Sequence, residues 1–202
     1  MIEIRRLTGA AILPHLSDVA RLRIRVFREF PYLYDGTEES ERKYLESYAA
    51  SPRSVCVLAL DDGEVVGAST GLPLEESDEA FRRPFVEAGM DERVVFYFGE
   101  SVLDRAYRGQ GIGHRFFDER EAHAIELGFT MAAFCAVERP EDHPMKPVGY
   151  RSNDVFWTKR GYVLHPDLKA RLSWKQVDSP NEVENVLAFR MASPVPFPSA
   201  GR

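Results

Sequence analysis

The chain has 202 residues and a mass of 23.0 kDa, with 44% hydrophobic and 29% charged residues, a composition typical of a folded globular domain. Its formal net charge of −6 argues against broad electrostatic binding to nucleic acid, which requires a basic surface. No apolar run approaches the roughly 18 residues needed to cross a bilayer, so we expect a cytoplasmic protein with neither a membrane nor a nucleic-acid partner. Composition does not determine the oligomeric state, and a homodimer is compatible with it.

Periodic patterns in the first fifty residues predict a strand and two helices. Residues 2–7 alternate apolar and polar side chains, which is typical of a strand. Ser17 can cap a helix that runs to about Glu29. A second helix is expected to begin at Thr37 and to carry apolar residues at helical spacing up to Tyr48.

A hairpin and a long strand follow. The letters Asp-Asp-Gly at 61–63 are a strong turn signal between the apolar runs 54–60 and 64–71. The charged stretch 73–92 is interpreted as a loop with a short helix, and it leads into a long strand over 94–103. The middle of the chain therefore supplies three strands of a sheet.

The second half of the chain predicts two more helices and three more strands. Apolar positions over 112–127 fall on one side of a helix, with Gly128 as its C-cap. We expect one domain over 1–192 and a flexible, proline-containing tail over 193–202. The remaining predicted elements are a strand at 129–137, a helix at 151–160 and strands at 171–177 and 185–192.

The two cysteines of the chain are Cys56 and Cys135, and each lies inside an apolar run. Both are predicted to be buried thiols. Two cysteines without neighbouring pairs of histidines cannot complete a zinc site, so no metal is expected.

The most informative motif is the run Arg-Gly-Gln-Gly-Ile-Gly at 108–113, between the long strand and the next helix. Glycine lacks a Cβ, so three glycines allow a tight turn that brings backbone N–H groups close to a ligand. The first N–H groups of a helix have no intrahelical partner and carry the positive end of its dipole, which favours an anion. A dinucleotide fingerprint would need a glycine where His114 or Phe116 stands, and no Gly-Lys-Ser/Thr ending supports a P-loop. The run predicts a phosphate site of another kind.

The stretch 101–113 resembles the acyl-CoA signature of the GNAT superfamily of N-acyltransferases, Arg/Gln-x-x-Gly-x-Gly/Ala after a strand. It matches that signature at Arg108, Gly111 and Gly113. The resemblance implies a single α/β (α+β) domain with a central mixed, mostly antiparallel sheet of about seven strands, splayed between strands 4 and 5 and flanked by helices. It also implies acetyl-CoA as cosubstrate and no metal cofactor.

The same resemblance assigns residues to the cosubstrate. Backbone N–H groups of 109–113 would hold the CoA pyrophosphate, while the end of the long strand would pair with the pantetheine arm and polarise the thioester carbonyl. Relatives often place an asparagine early in the late helix against the CoA arm, and Asn153 lies one turn from that position. The residues expected to bind the cosubstrate are Val102, Leu103, Arg108, Gly109, Gln110, Gly111, Ile112, Gly113, His114 and Asn153.

Acyl transfer to an amine requires removal of a proton from the amine. Glu100, at the end of the long strand, is the leading candidate for this base. Strict alternation along the strand would place Glu100 on one face with Phe96 and Phe98. The alternative is a solvated carboxylate at the end of a strand.

The leaving thiol requires a proton as well. Many relatives carry a tyrosine as general acid in a helix that ends Leu-Tyr-x-Lys-x-Gly-Phe, and Trp157 occupies that position here. The indole N–H is not a practical acid, so either the thiol leaves unaided or Tyr150, two helical turns earlier, donates the proton. Glu100 and Tyr150 are therefore the predicted catalytic residues, with a packing role as the alternative for Tyr150.

These expectations favour an enzyme that moves an acetyl group from acetyl-CoA to a primary amine of a small molecule or peptide, by direct transfer within a ternary complex. The alternative, suggested by Trp157, is a CoA- or acyl-CoA-binding sensor or interaction module without turnover. Three arginines of the first helix, Arg21, Arg25 and Arg28, fit either an acceptor that bears a carboxylate or a solvated helix face.

Overall fold

Seven strands form one mixed sheet in the computed structural model, which describes residues 1–196 of the chain. The strands are β1 Glu3–Leu7, β2 Val55–Asp61, β3 Glu64–Pro73, β4 Val95–Leu103, β5 Met131–Val137, β6 Val163–Lys175 and β7 Glu182–Ala192. Their order across the sheet is β1-β2-β3-β4-β5-β7-β6, and only the β4–β5 pair is parallel. This architecture confirms the predicted mixed, mostly antiparallel sheet.

Five α-helices cover the two faces of the sheet within the described residues. They are α1 Leu16–Phe27, α2 Glu38–Ala50, α3 Glu79–Glu87, α4 Ile112–Glu126 and α5 Asp154–Lys159. Helices α1, α2 and α3 pack on an apolar layer that includes Tyr97 and Val102 of β4. Helices α4 and α5 pack on the opposite layer, which includes Phe96 and Phe98. Because both faces are covered, β2 is buried on both sides and has a continuous apolar sequence.

Two turn and cap predictions are confirmed. Asp62 and Gly63 have positive φ angles of 48° and 88° in the hairpin between β2 and β3. Thr37 caps α2, since its side chain accepts the Ser40 N–H at 3.2 Å and Ser40 reciprocates. In both cases the residues that predict the turn or the cap also form it, so the sequence alone was sufficient to predict each feature.

Two predicted helix starts are wrong. α1 follows directly on a 3₁₀ segment, Gly9–His15, so Ser17 lies inside the helix rather than at its cap. α5 begins three residues later than predicted. Gly149 adopts a φ of +77°, and the Ser152 hydroxyl accepts the Asp154 N–H at 3.1 Å, so the loop continues up to the start of α5.

The C-terminal part differs from the predicted pattern in the length of one strand. β6 begins eight residues earlier than expected, and an irregularity between His165 and Lys169 interrupts its apolar alternation. The expected flexible tail falls partly on 197–202, which lie outside the described residues. Just before them, Val195 is buried and donates its N–H to the Thr130 carbonyl at 3.1 Å.

The strands β4 and β5 separate after a short parallel contact. Their register pairs Val95, Phe96 and Tyr97 with residues 131–133 and then ends. The second half of β4 stays paired with β3 on its other side. The predicted splay between strands 4 and 5 is confirmed, and it leaves one edge of β4 facing an open space.

A β-bulge interrupts β4 in its second half. Ser101 pairs with Ser69 and Phe98 with Gly71, so Gly99 and Glu100 together oppose the single residue between Ser69 and Gly71. The position of a Cβ on Gly99 would lie 2.0 Å from the Tyr48 hydroxyl oxygen, so a side chain there would require Tyr48 to move. Beyond the bulge the alternation of side chains is reversed, and Val102 joins the layer under α1.

Candidate active site

A cleft of about 1030 Å³ opens where β4 and β5 separate. Phe117 and Trp157, from α4 and α5, line one side of it, and Phe27 and Tyr32, from α1 and the loop after it, line the other. The cleft therefore reaches from one face of the sheet to the other, with room for a long ligand. Six residues predicted for the site line it, namely Glu100, Leu103, Arg108, Gly113, Tyr150 and Asn153.

The glycine run forms the start of α4 at one end of this cleft. Gly111 is the N-cap of α4 with a φ of +80°, and Gly109 has a φ of +79°. Glycine adopts such angles without strain. A Cβ placed on either residue would contact nothing within 4 Å, so open space surrounds the loop. An anion such as a diphosphate can therefore approach the N–H groups at the start of the helix.

The polar side chains of the run are held by the protein. The Arg108 guanidinium donates to the Leu103 carbonyl at 3.1 Å and to Glu29 at 3.2 Å, which places a cation across the end of β4. Gln110 donates to the Ala106 carbonyl at 3.1 Å. Other predicted members of the site lie against protein groups, with the His114 ring packed on Phe156 and the side chains of Val102 and Ile112 in the apolar layers. The backbone of the run, rather than these side chains, is the part open to a ligand.

Glu100 does not share a face with Phe96 and Phe98, and the expectation based on strict alternation is wrong. The bulge turns its side chain to the opposite face, where Oε2 accepts from Arg23 Nη1 at 2.7 Å and from the Tyr44 hydroxyl at 3.3 Å. The solvated alternative is wrong too, because the carboxylate is buried. Glu100 therefore lies under α1, on the side of the cleft opposite to the glycine run.

Arg23 links Glu100 to a second carboxylate, that of Glu41 in α2. Burial by itself would lower the pKa of Arg23, but the carboxylates of Glu100 and Glu41 outweigh it and raise that pKa well above its ordinary value. The guanidinium is thus permanently charged. Sequence patterns signalled Arg23 only weakly, as a charged residue within the apolar stripe of α1.

Arg120 of α4 satisfies backbone groups that the bulge leaves without strand partners. Its Nη1 donates to the carbonyl oxygens of Glu100 at 3.0 Å and Thr70 at 3.2 Å, and its Nη2 donates to the Ser101 hydroxyl at 2.8 Å. The guanidinium lies over the Phe98 ring at 4.4 Å. Burial lowers the pKa of Arg120 to about 10. Arg120 was not predicted from sequence, and it fixes the geometry of β4 at Glu100.

The segment before α5 contributes Tyr150, Asn153 and Trp157 to the cleft wall. Tyr150 precedes the helix instead of lying on it, and its ring meets Phe30 edge-on with centroids 4.8 Å apart. Asn153 is the residue directly before α5, so it lies at the helix start and not one turn inside. Trp157 packs on Phe134 at 5.1 Å. These positions correct the predicted helical spacing but keep all three residues at the cleft.

The three predicted arginines of α1 are paired with aspartates. Arg21 pairs with Asp18, Arg25 with Asp104 and Arg28 with Asp35. All three arginines are exposed, as expected for a solvated helix face. Their charges are neutralised locally, which removes the main sequence argument for an acidic acceptor.

The cleft wall also includes a thiol. Cys135 lines the cleft, and burial raises the pKa of its thiol to about 12, so the thiol is protonated at neutral pH. Residues 1–196 contain no group of three or more His, Cys, Asp or Glu side chains arranged to hold a metal ion. None of the helices in this part of the chain is long and apolar enough to span a membrane.

Solved structures with the same fold come from several organisms. An N-acetyltransferase from Staphylococcus aureus Mu50 is 14% identical with a TM-score of 0.59, over 96% of this chain and 98% of its own. A Drosophila melanogaster polyamine N-acetyltransferase, which catalyses the formation of N-acetylagmatine, is 13% identical with a TM-score of 0.60, over 96% and 100%. The yncA protein from Salmonella typhimurium, solved with its cofactor acetyl-CoA, is 11% identical with a TM-score of 0.58, over 96% and 94%. These similarities show the fold.

Sequence comparison supplies the family. No curated protein matches the chain. The sequence profile of the Acetyltransferase (GNAT) family, however, matches residues 20–148, which is more than half of the chain and includes β4, the glycine run and α4. The chain therefore belongs to the GNAT family of acetyltransferases.

Proposed function

We propose that this protein transfers an acetyl group from acetyl-CoA to a primary amine, by direct transfer within a ternary complex. The observation that supports it is the arrangement of the cleft. The anion-binding start of α4 opens on one face of the sheet, and the buried carboxylate of Glu100 lies on the other. A donor and an acceptor can therefore meet from opposite sides at the splayed edge of β4.

The residues present fit acetyl-CoA. The open space around Gly109 and Gly111 and the N–H groups of 109–113 suit its diphosphate, and Arg108 adds a cation at the end of β4. The edge of β4 beyond Tyr97 has no strand partner on the cleft side within residues 1–196, so it offers backbone groups to an extended amide-containing arm, up to Leu103, whose carbonyl is bonded to Arg108. Gly113 and Asn153 complete the wall beside it. Acetyl-CoA supplies an acyl thioester, and this chain binds and orients it.

Proton removal from the acceptor is assigned to Glu100. An amine arrives as an ammonium ion at neutral pH, so one N–H bond must break before nitrogen can attack. Glu100 takes that proton directly or through one water. Nitrogen then forms a bond to the acetyl carbon while the carbon–sulfur bond breaks, and the electron pair of that bond goes to sulfur. The leaving thiolate takes a proton from an acid, and the second proton lost by nitrogen replaces the one that this acid gave up.

Direct transfer is supported by the state of Cys135. A covalent acetyl-enzyme on the cysteine of the cleft would require its thiolate. Burial raises the pKa of Cys135 to about 12, and the Tyr97 hydroxyl lies 3.4 Å from its sulfur. The thiol is therefore protonated at neutral pH, which favours the amine itself as the nucleophile.

Tyr150 is proposed as the acid that protonates the leaving thiolate. Burial raises the pKa of its phenol, so the proton is retained at neutral pH and is available for donation. In Tyr150→Phe, the ring contact with Phe30 is kept and the hydroxyl is lost. We expect kcat to fall about a hundredfold, while KM for acetyl-CoA stays within about twofold of the original value. An unchanged kcat would show that the thiol leaves without help from Tyr150.

The second candidate function is a CoA-binding module without turnover, favoured by Trp157 at the position where relatives place an acid. Calorimetry with acetyl-CoA, combined with an assay of free thiol in the presence of amines, amino acids and peptides, separates the two. We expect both binding and amine-dependent thiol release. Binding without thiol release from any acceptor would favour the module and contradict the proposed enzyme.

A further inference from the structure

The two carboxylate oxygens of Glu100 have different surroundings. Oε2 accepts from Arg23 at 2.7 Å and from Tyr44 at 3.3 Å. Oε1 is buried and has no hydrogen-bond partner within residues 1–196. A buried acceptor without a donor is unfavourable, and native proteins rarely keep one unless a ligand or a water supplies the donor. Because Glu100 lines the cleft, an N–H group of a ligand bound there could supply the donor that Oε1 lacks.

Within residues 1–196, Glu100 and Glu41 share a single ion-pair partner, Arg23. The Arg23 guanidinium lies between the carboxylates of Glu41 and Glu100, and it stacks on the rings of Phe27 at 5.0 Å and Tyr44 at 4.3 Å. Arg23 is the one side-chain ion-pair partner that these two buried carboxylates share within the described residues, because the nearby Arg120 guanidinium donates to backbone carbonyl oxygens and to the Ser101 hydroxyl. Such a place favours a ligand that brings both a positive charge and an N–H donor. An ammonium group meets both requirements.

Aromatic rings line the same side of the cleft. The rings of Phe27 and Tyr32 have centroids 4.5 Å apart, and those of Phe30 and Tyr150 are 4.8 Å apart. All four rings line the cleft and are half-buried. Such rings can bury a flat apolar group, and their faces attract a cation. The wall therefore suits an apolar body attached to the ammonium group.

Cationic side chains near these rings offer little to a carboxylate. The exposed arginines of α1 are paired with aspartates, as described above. Arg139 donates to the carbonyl oxygens of Pro31 at 2.6 Å and Tyr32 at 3.0 Å, so it holds the loop after α1 in place. Of the other cations that line the cleft, Arg190 pairs with Asp154 and Lys146 with Glu141, while Arg151 is exposed at the rim. Beside Glu100, an acceptor carboxylate would meet another carboxylate.

We infer that the acceptor is a small primary amine that enters as an ammonium ion, has an aromatic or similarly flat apolar body, and has no carboxylate beside the amine. The ammonium group donates to Oε1 of Glu100, and its body packs against the rings of Phe27, Phe30, Tyr32 and Tyr150. This inference rests on the proposed function, because it takes Glu100 as the base. It adds the chemical class of the acceptor.

Matched acceptors test the inference on the full chain with saturating acetyl-CoA. 2-Phenylethylamine, phenylalaninamide and phenylalanine share the ring and the primary amine and differ in the substituent beside the amine, while 1,4-diaminobutane lacks the ring. Free thiol is measured to give kcat/KM for each. We expect 2-phenylethylamine to exceed phenylalanine by about a hundredfold and the diamine by about tenfold, with phenylalaninamide between the first two. Equal or faster turnover of phenylalanine or of the diamine overturns the inference.

A variant separates contact with the acceptor from an effect on the fold. Phe30→Ala removes one ring of the wall, so KM for 2-phenylethylamine should rise about tenfold, while KM for acetyl-CoA should not change. A parallel rise in both values contradicts the assigned contact. If other amines are acetylated and 2-phenylethylamine is not, the acceptor class is wrong and the proposed function stands. If no amine releases thiol although acetyl-CoA binds, the proposed function fails and the inference fails with it.

Discussion

Gly111→Asp is expected to abolish measurable binding of acetyl-CoA. The substitution places a carboxylate beside the N–H groups at the start of α4, in the open space that a diphosphate would occupy. Each hydrogen bond to a charged group contributes about 1.5–3 kcal/mol, so loss of one or two of them, together with like-charge repulsion, should weaken binding at least about a hundredfold. Titration calorimetry with acetyl-CoA measures the change directly.

The matched control is Gly128→Asp, at the other end of the same helix. Gly128 has a φ of +83°, and a Cβ placed there would contact nothing within 4 Å, as at Gly111. The two variants therefore impose a similar backbone cost and differ in their distance from the proposed anion site. Gly128→Asp should bind acetyl-CoA normally. Equal loss of affinity in both variants would show that strain in α4, rather than a blocked anion site, is the cause.

Glu100→Gln is expected to lower kcat about 10²–10⁴-fold, the usual contribution of a general base. The amide keeps the size of the side chain but cannot accept a proton from an ammonium ion at neutral pH. Binding of acetyl-CoA should be retained, because the glycine run lies at the other end of the cleft. Rates of thiol release at saturating acceptor, measured beside calorimetry, test both statements.

Glu41→Gln is the control for this second variant. Glu41 is also buried and also pairs with Arg23, but it is not part of the cleft wall. Either substitution leaves the guanidinium with one carboxylate partner, so the thermal stabilities of the two variants should be similar. We expect kcat of Glu41→Gln to remain within about tenfold of the original enzyme. A comparable loss of rate in both variants would assign the effect to the ion-pair cluster and not to proton removal.

Features with local causes could be predicted from the sequence. The hairpin at 61–63, the cap at Thr37 and the tight glycine turn before α4 each depend on residues a few positions apart. The resemblance at Arg108, Gly111 and Gly113 supplied the sheet and its splay, which the family match and the structure confirm. Assignments of individual site residues to the cosubstrate remain predictions.

Features set by contacts between distant segments could not be predicted. The bulge at Glu100 lies where the Tyr48 hydroxyl crowds Gly99 and where the Arg120 guanidinium bonds the Glu100 carbonyl from another element. Alternation within β4 therefore gave the wrong face. Arg23 and Arg120 each interrupt an apolar helical stripe. A charged residue at such a position is the sequence feature that indicates a buried and paired charge.

The dependence of the β4 bulge on Arg120 constrains how this enzyme could diversify. Replacing that guanidinium by an apolar side chain would leave the buried carbonyl oxygens of Thr70 and Glu100 without this hydrogen-bond donor. Straightening the strand instead would rotate Glu100 toward the layer of Phe96 and Phe98. The bulge in β4 and Arg120 of α4 therefore depend on each other. We expect relatives to keep or lose both together, while the loops around the acceptor vary.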